Sequence, residues 1–197
     1  MLKILIISVF ASMNALALNP GDLAPDFSLV NQDGKQVKLS DFKNKIVVLE
    51  WFNYGCPFVK KHYGSNNMQA TQMAYKNNEY VSWLSIVSSA PGKQGSFENA
   101  KEAKAKMKEL GSNADHLLLD TDGKVGQAYG AKTTPHMYVI GLDGKVAYVG
   151  AMDSVSSSDP ADIKEAKNYV LSAVSKLLLK ESPNPSKTKP YGCSVKY

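Results

Sequence analysis

The sequence predicts a layered α/β sandwich, because apolar runs of strand length alternate with amphipathic segments of helical period and a hairpin and a final helix close the order. Residues 45–52 and 80–87 are apolar without alternation, the pattern of strands covered on both faces in the middle of a sheet. Residues 96–111 and 159–178 instead space their apolar groups at helical period. Asp33-Gly34 and Asp143-Gly144 each join two short alternating runs, as tight hairpin turns do.

Taken in order, residues 27–30 and 36–39 make the first hairpin, and residues 45–52 make the first buried strand. The turn Asn53-Tyr54-Gly55 delivers Cys56, with Pro57 at a first helical position and a helical stretch running to near Asn77. After the second buried strand, Ser96 is the expected cap of a helix with apolar positions Phe97, Ala100, Ala103, Met107 and Leu110, stopped by Gly111. Residues 117–119 form a short strand, 124–129 a short helix, and 137–140 pair with 146–149. Asp159-Pro160 opens a last helix with the stripe Ile163, Ala166, Val170, Val174, Leu177 and Leu178. Residues 182–190 carry too many prolines for a helix and run extended, with Cys193 near the end.

Residues 1–17 combine Lys3, a short apolar run and the small-residue pattern Ala15-Leu16-Ala17, which reads as a cleaved signal and predicts an exported, periplasmic protein. Residues 18–181 then form one domain, followed by the tail 182–197. All 23 basic residues are lysine, and the net charge is +5. Lysines spread along the chain without arginine argue against a nucleic-acid partner.

The two cysteines, Cys56 and Cys193, match no zinc pattern and form no staple framework. A permanent bond between them and a bond that turns over are both open. Cys56 stands where a helix begins, so unpaired backbone N–H groups and the positive end of the helix dipole favour its thiolate. Thiolate is the nucleophile, and this position makes Cys56 the candidate reactive group.

Here the chain resembles a family. Trp51-Phe52-Asn53-Tyr54-Gly55-Cys56-Pro57 is similar to the active-site strand and turn of thioredoxin-like proteins, and Thr133-Thr134-Pro135 to their cis-proline loop. The wider pattern resembles the redoxin branch, related to alkyl hydroperoxide reductase and thiol-specific antioxidant proteins. Residues 56–63 with the ending Gly192-Cys193-Ser194-Val195-Lys196-Tyr197 resemble an exported redoxin subgroup. The resemblance implies a thioredoxin-like sandwich with an amino-terminal hairpin and an extended tail. Two departures matter. Val59 stands where a neighbouring resolving thiol would be. Leu49 and Asn53 stand where peroxiredoxins carry Pro and Thr, and the peroxiredoxin arginine has no counterpart. This weakens a peroxidase, which needs donors to polarise the O–O bond.

Cys193 is therefore the candidate resolving thiol. The twelve residues from Glu181 reach up to roughly 40 Å, far enough to meet Cys56 in the same chain or in a second subunit. Glu50, in an apolar strand, has a raised pKa if buried and matches the carboxylate that thioredoxins place behind their cysteines, where it would accept and return the thiol proton; an exposed sheet-edge glutamate is the other reading. Trp51, Pro57, Thr134 and Pro135 are the expected substrate-binding residues, the Thr134 backbone pairing with an extended substrate. The leading function is an exported thiol-disulfide oxidoreductase acting on a protein or small-molecule disulfide or thiol, with a separate electron donor, no cofactor or metal, and a monomeric or homodimeric state. One alternative is a thiol peroxidase in which Cys193 captures the Cys56 sulfenic acid. The other is a copper-binding chaperone using Cys56 with His62 or His136.

Overall fold

The computed structural model describes residues 17–197. The expected signal lies, apart from Ala17, outside the described residues. The strands are β1 (Ser28–Asn31), β2 (Gln36–Lys38), β3 (Ile46–Trp51), β4 (Val81–Val87), β5 (His116–Leu119), β6 (Thr133–Thr134), β7 (His136–Ile140), β8 (Val146–Gly150) and β9 (Cys193–Ser194). The helices are α1 (Pro57–Gly64), α2 (Asn67–Met73), α3 (Ala100–Glu109), α4 (Lys124–Tyr129) and α5 (Tyr169–Leu178).

Seven strands form one sheet in the order β2-β1-β5-β4-β3-β7-β8, and β6 and β9 form a separate pair. β3, β4 and β5 run parallel, whereas β7 lies antiparallel to β3. Every residue of β3 and β4 is buried, as runs without alternation require. The pleat of β3 splits its side chains between two cores. Ile46, Val48 and Phe52 join Val59, Met68, Ala103, Val170 and Val174 from α1, α2, α3 and α5. Val47, Leu49 and Trp51 join Tyr129 of α4, Tyr138 and the hairpin residues Phe27 and Val37 on the other face.

Three sequence expectations change. The helical stretch after Cys56 breaks into α1 and α2 at Asn66, which takes φ 61°, a left-handed conformation that asparagine tolerates. The cap of α3 is Asn99, whose side chain accepts from the Glu102 N–H at 3.0 Å. Ser96 lies before it because Phe97 turns into the core against Tyr54, ring centres 5.2 Å apart, before the helix begins. The residues after Asp159 make only a 3-10 helix, Pro160–Glu165, and α5 starts later with Asn168 as cap. The intervening chain is extended at Ala166, and Ser154 N–H donates to the Lys167 carbonyl at 3.1 Å, so Ile163 and Ala166 leave the helical stripe.

Candidate active site

At the end of β3 the chain turns on Asn53. Its side-chain carbonyl accepts from Gly55 N–H at 2.8 Å, and its amide donates to the Gln94 carbonyl at 3.0 Å. Gly95, at φ 85°, makes room for this, since a Cβ there would stand 2.3 Å from Asn53 Oδ1. The Cys56 N–H donates to the Asn53 carbonyl at 3.0 Å, which sets Cys56 as the N-cap residue of α1 with Pro57 in its first turn.

The antiparallel pairing of β7 with β3 places His136 opposite Trp51, so the loop before β7 must end at the Cys56 end of β3. The Thr134-Pro135 peptide in that loop is cis. Cys56 Sγ lies 3.0 Å from the Thr134 carbonyl oxygen.

The tail closes the site from the other side. Residues 186–188 bond to β8, with Val149 N–H donating to Ser186 and Thr188 N–H donating to Val149 at 3.1 and 3.0 Å. β9 then pairs antiparallel with β6, Cys193 opposite Thr134 and Ser194 opposite Thr133. The Cys56 and Cys193 sulfurs are 2.7 Å apart, both free thiols. Cys56 has no exposed surface beneath this cover.

The two thiols titrate in opposite directions. Burial alone would raise Cys56, but the Cys193 thiol and the backbone N–H of Val59 help to outweigh it and hold the group below its ordinary value. Cys193 is pushed up to about 11 by burial, by its hydrogen bond to Cys56 and by the Cys56 charge. Of the two, Cys56 is the thiol whose ionisation is favoured, consistent with a helix N-terminus beside its sulfur.

The tail also docks on α1, against a buried pair, Lys61 and Asp153, that sequence reasoning missed. Lys61, 1% exposed in α1, pairs with buried Asp153 at 3.2 Å and donates to the Val155 carbonyl at 2.9 Å. The Tyr191 hydroxyl donates to Asp153, and its ring packs on Phe58 and under the Lys61 ammonium, 5.5 Å from the ring centre. The available signal for that pair was small: a second lysine where α1 turns inward.

The other sequence candidates fall in different places. Glu50 is wholly buried, accepting from Trp83 Nε1–H and Ser85 Oγ–H at 2.9 Å, Tyr63 hydroxyl at 3.1 Å and Gln72 at 3.4 Å. Burial raises its pKa against these four donors. The exposed sheet-edge reading of Glu50 is thereby removed, yet none of the four bonds goes to Cys56, so the anticipated proton relay has no direct hydrogen bond here. Trp51 was expected at the substrate and is instead in the second core, wholly buried, with its Nε1–H donating to Ser88 Oγ at 3.0 Å and its ring against Tyr129 and Tyr138. Strand alternation after Glu50 sends it to the opposite face. Pro57 is exposed, and Thr134 and Pro135 are buried under the tail. His62 Nδ1 meets Asn67 at 2.8 Å and its Nε2 meets the Tyr191 hydroxyl at 3.4 Å. His136 takes the Lys132 N–H at 3.3 Å and stacks on Tyr138 on the Trp51 side of the sheet. Neither ring bonds to Cys56; the partners of each lie elsewhere.

A cysteine capping the helix after a central strand, facing a cis-proline loop, defines a thioredoxin-like fold. The chain belongs to the redoxin family, whose model matches residues 19–168. It is 31% identical over 146 residues to the thiol-disulfide oxidoreductase ResA of Bacillus subtilis (strain 168), covering 72% of each chain. Its fold is similar to that of an uncharacterized conserved protein from Geobacillus kaustophilus, with a TM-score of 0.74, 29% identity and coverage of 91% of this chain and 93% of that one. The thioredoxin domain of a thiol-disulfide oxidoreductase from Bacteroides vulgatus shares the fold at a TM-score of 0.53 and 22% identity, over 66% of this chain and 86% of that chain.

Proposed function

We propose that this redoxin is an exported, periplasmic thiol-disulfide oxidoreductase in which Cys56 attacks and Cys193 resolves. The observation that carries the reading is the 2.7 Å contact between the two sulfurs, with Cys56, the more readily ionised thiol, at the helix cap. Cys56 thiolate attacks one sulfur of a substrate disulfide, forming a mixed disulfide and releasing the other sulfur as a thiolate that takes up a proton. Cys193 loses its proton and attacks Cys56 Sγ, the enzyme disulfide forms, and the substrate leaves as its second thiol. The substrate gains two electrons and the enzyme loses them; an external dithiol donor restores the enzyme thiols, and an oxidising partner drives the same steps in reverse. The kinship with ResA, named for this chemistry, supports the reaction class. The apolar run after Lys3 supports export.

The test is insulin disulfide reduction with a dithiol donor. Cys56→Ser is expected to abolish it, and Cys193→Ser to halt after one turnover with substrate held on Cys56, visible as a mass adduct that a reductant removes. Undiminished activity in Cys56→Ser would sink the proposal. The peroxidase alternative has no matching observation, since Asn53 spends its side chain on the turn and the sequence contains no arginine.

A further inference from the structure

The tail occupies the edge that a substrate strand needs. β9 already uses the Thr134 backbone opposite Cys193, and Cys56 beneath it has no exposed surface, so attack on an outside disulfide requires this strand to leave. What holds the strand also describes a receptor. Ahead of the cysteine, Gly192 takes φ 141° and passes so close that a Cβ would stand 2.1 Å from the Thr134 carbonyl oxygen. After it, Val195 N–H donates to the Lys132 carbonyl at 3.2 Å, and the Val195 side chain packs against the second core. The Lys196 carbonyl accepts from Ala90 N–H at 2.8 Å, so the segment is gripped on both edges. The Tyr197 ring lies on Gly123 and Gly126, where a Cβ would stand 2.6 Å and 2.7 Å from a ring carbon, and its hydroxyl donates to the Ala131 carbonyl at 2.9 Å.

We propose that this groove is the client-recognition surface and that the tail is its resident stand-in. The matching client is an extended protein segment with glycine before its disulfide-bonded cysteine, an aliphatic residue two positions after it and an aromatic residue four positions after it. Backbone pairing gives such a segment affinity, and the pockets for alternate side chains give it selectivity. The inference rests on the exchange reading above. In that reaction client and tail take turns in one groove: the client enters when the mixed disulfide forms, and the tail returns as Cys193 attacks Cys56 and the client thiol departs.

The experiment uses the full chain with Cys193→Ser and Tyr197→Ala, so that Cys56 cannot be resolved and the resident strand is loosened. The probes are the heptapeptide Tyr-Gly-Cys-Ser-Val-Lys-Tyr carrying glutathione on its cysteine, the same conjugate with serine for the valine and the last tyrosine, and glutathione disulfide alone. Cys56 attacks the peptide sulfur, one S–S bond replaces another and glutathione leaves as a thiol. The expected result is peptide adduct forming on Cys56 about tenfold or more faster with the matched conjugate, a difference worth about 1.4 kcal/mol, and slower again when Tyr197 is intact. A second variant, Gly126→Ala with Cys193→Ser, places a methyl against the aromatic slot and is expected to erase the preference for the terminal tyrosine. Equal rates for both peptides, with glutathione disulfide still labelling Cys56, would overturn the recognition surface and leave the exchange chemistry standing. Failure of all three probes to label Cys56, in protein whose circular dichroism shows it folded, would overturn both.

Discussion

Lys61 and Asp153 show how a single buried pair ties the Cys56 helix to the tail. Both side chains are essentially without exposure, so each charge depends on the other and on Tyr191 and the Val155 carbonyl. Removing one partner from a buried pair leaves an uncompensated charge, a cost of about 3–5 kcal/mol. Lys61→Met is therefore expected to lower the urea midpoint by that measure, and Lys61→Met with Asp153→Leu to recover most of it; a single variant as stable as the parent would contradict this. The histidines give the molecule an acid sensitivity. Burial, opposed by Asp153 and aided by Lys61, holds His62 down at about 4, and burial with the charge of Lys132 holds His136 at about 3. Between an ordinary pKa of 6.5 and these values the unfolded chain binds protons that the native state refuses, so these histidines make stability fall as pH falls. Each contributes about 1.4 kcal/mol per pH unit, ending near pH 4 for His62 and near pH 3 for His136. Urea midpoints at pH 7 and pH 5 should differ less in His136→Gln than in the parent; an unchanged difference would remove His136 from the account.

Among the elements, α3 separates a sequence signal from the group that does the work. Ser96 satisfies the pattern of a cap, yet the packing of Phe97 against Tyr54 holds residues 96–98 outside the helix and Asn99 accepts the Glu102 N–H instead. Asn99→Ala is expected to cost about 1 kcal/mol, and Ser96→Ala less than about 0.5 kcal/mol, in thermal or urea unfolding. The reverse order would restore the sequence assignment. The same competition moves the start of α5, where pairing of Ser154 with Lys167 keeps the preceding chain extended. By contrast the two buried strands, the hairpins and α4 follow their patterns closely, because unbroken apolar runs and turn residues act over a few positions whatever surrounds them.

For the whole molecule, the decisive arrangement is a long chain returning on itself. The seven-stranded sheet and both cores are assembled without residues 191–197, while Tyr191, Cys193, Val195 and Tyr197 dock upon them. Deleting residues 191–197 is expected to leave cooperative unfolding intact at a loss of about 2–4 kcal/mol, from the hydrogen bonds and buried pair it uncovers. It should also speed iodoacetamide alkylation of Cys56, which now gains exposure, and end multiple turnover while sparing the first attack. Normal turnover in the truncated protein would mean that Cys193 is not the resolving thiol.

What the sequence determined alone is what local chemistry can state: the order of strands and helices, the glycine turns, and a cysteine at a helix start where backbone N–H groups favour thiolate. The reach of the tail was legible too, since residue count bounds distance. The tertiary structure alone decided which face each β3 residue took, and so sent Trp51 away from the site and Glu50 into a ring of donors. It alone brought Lys61, Asp153 and Tyr191 together and seated Cys193 on the Thr134 edge. Those contacts join residues far apart in the chain, and their formation depends on shape, burial and pairing that no short window of sequence contains.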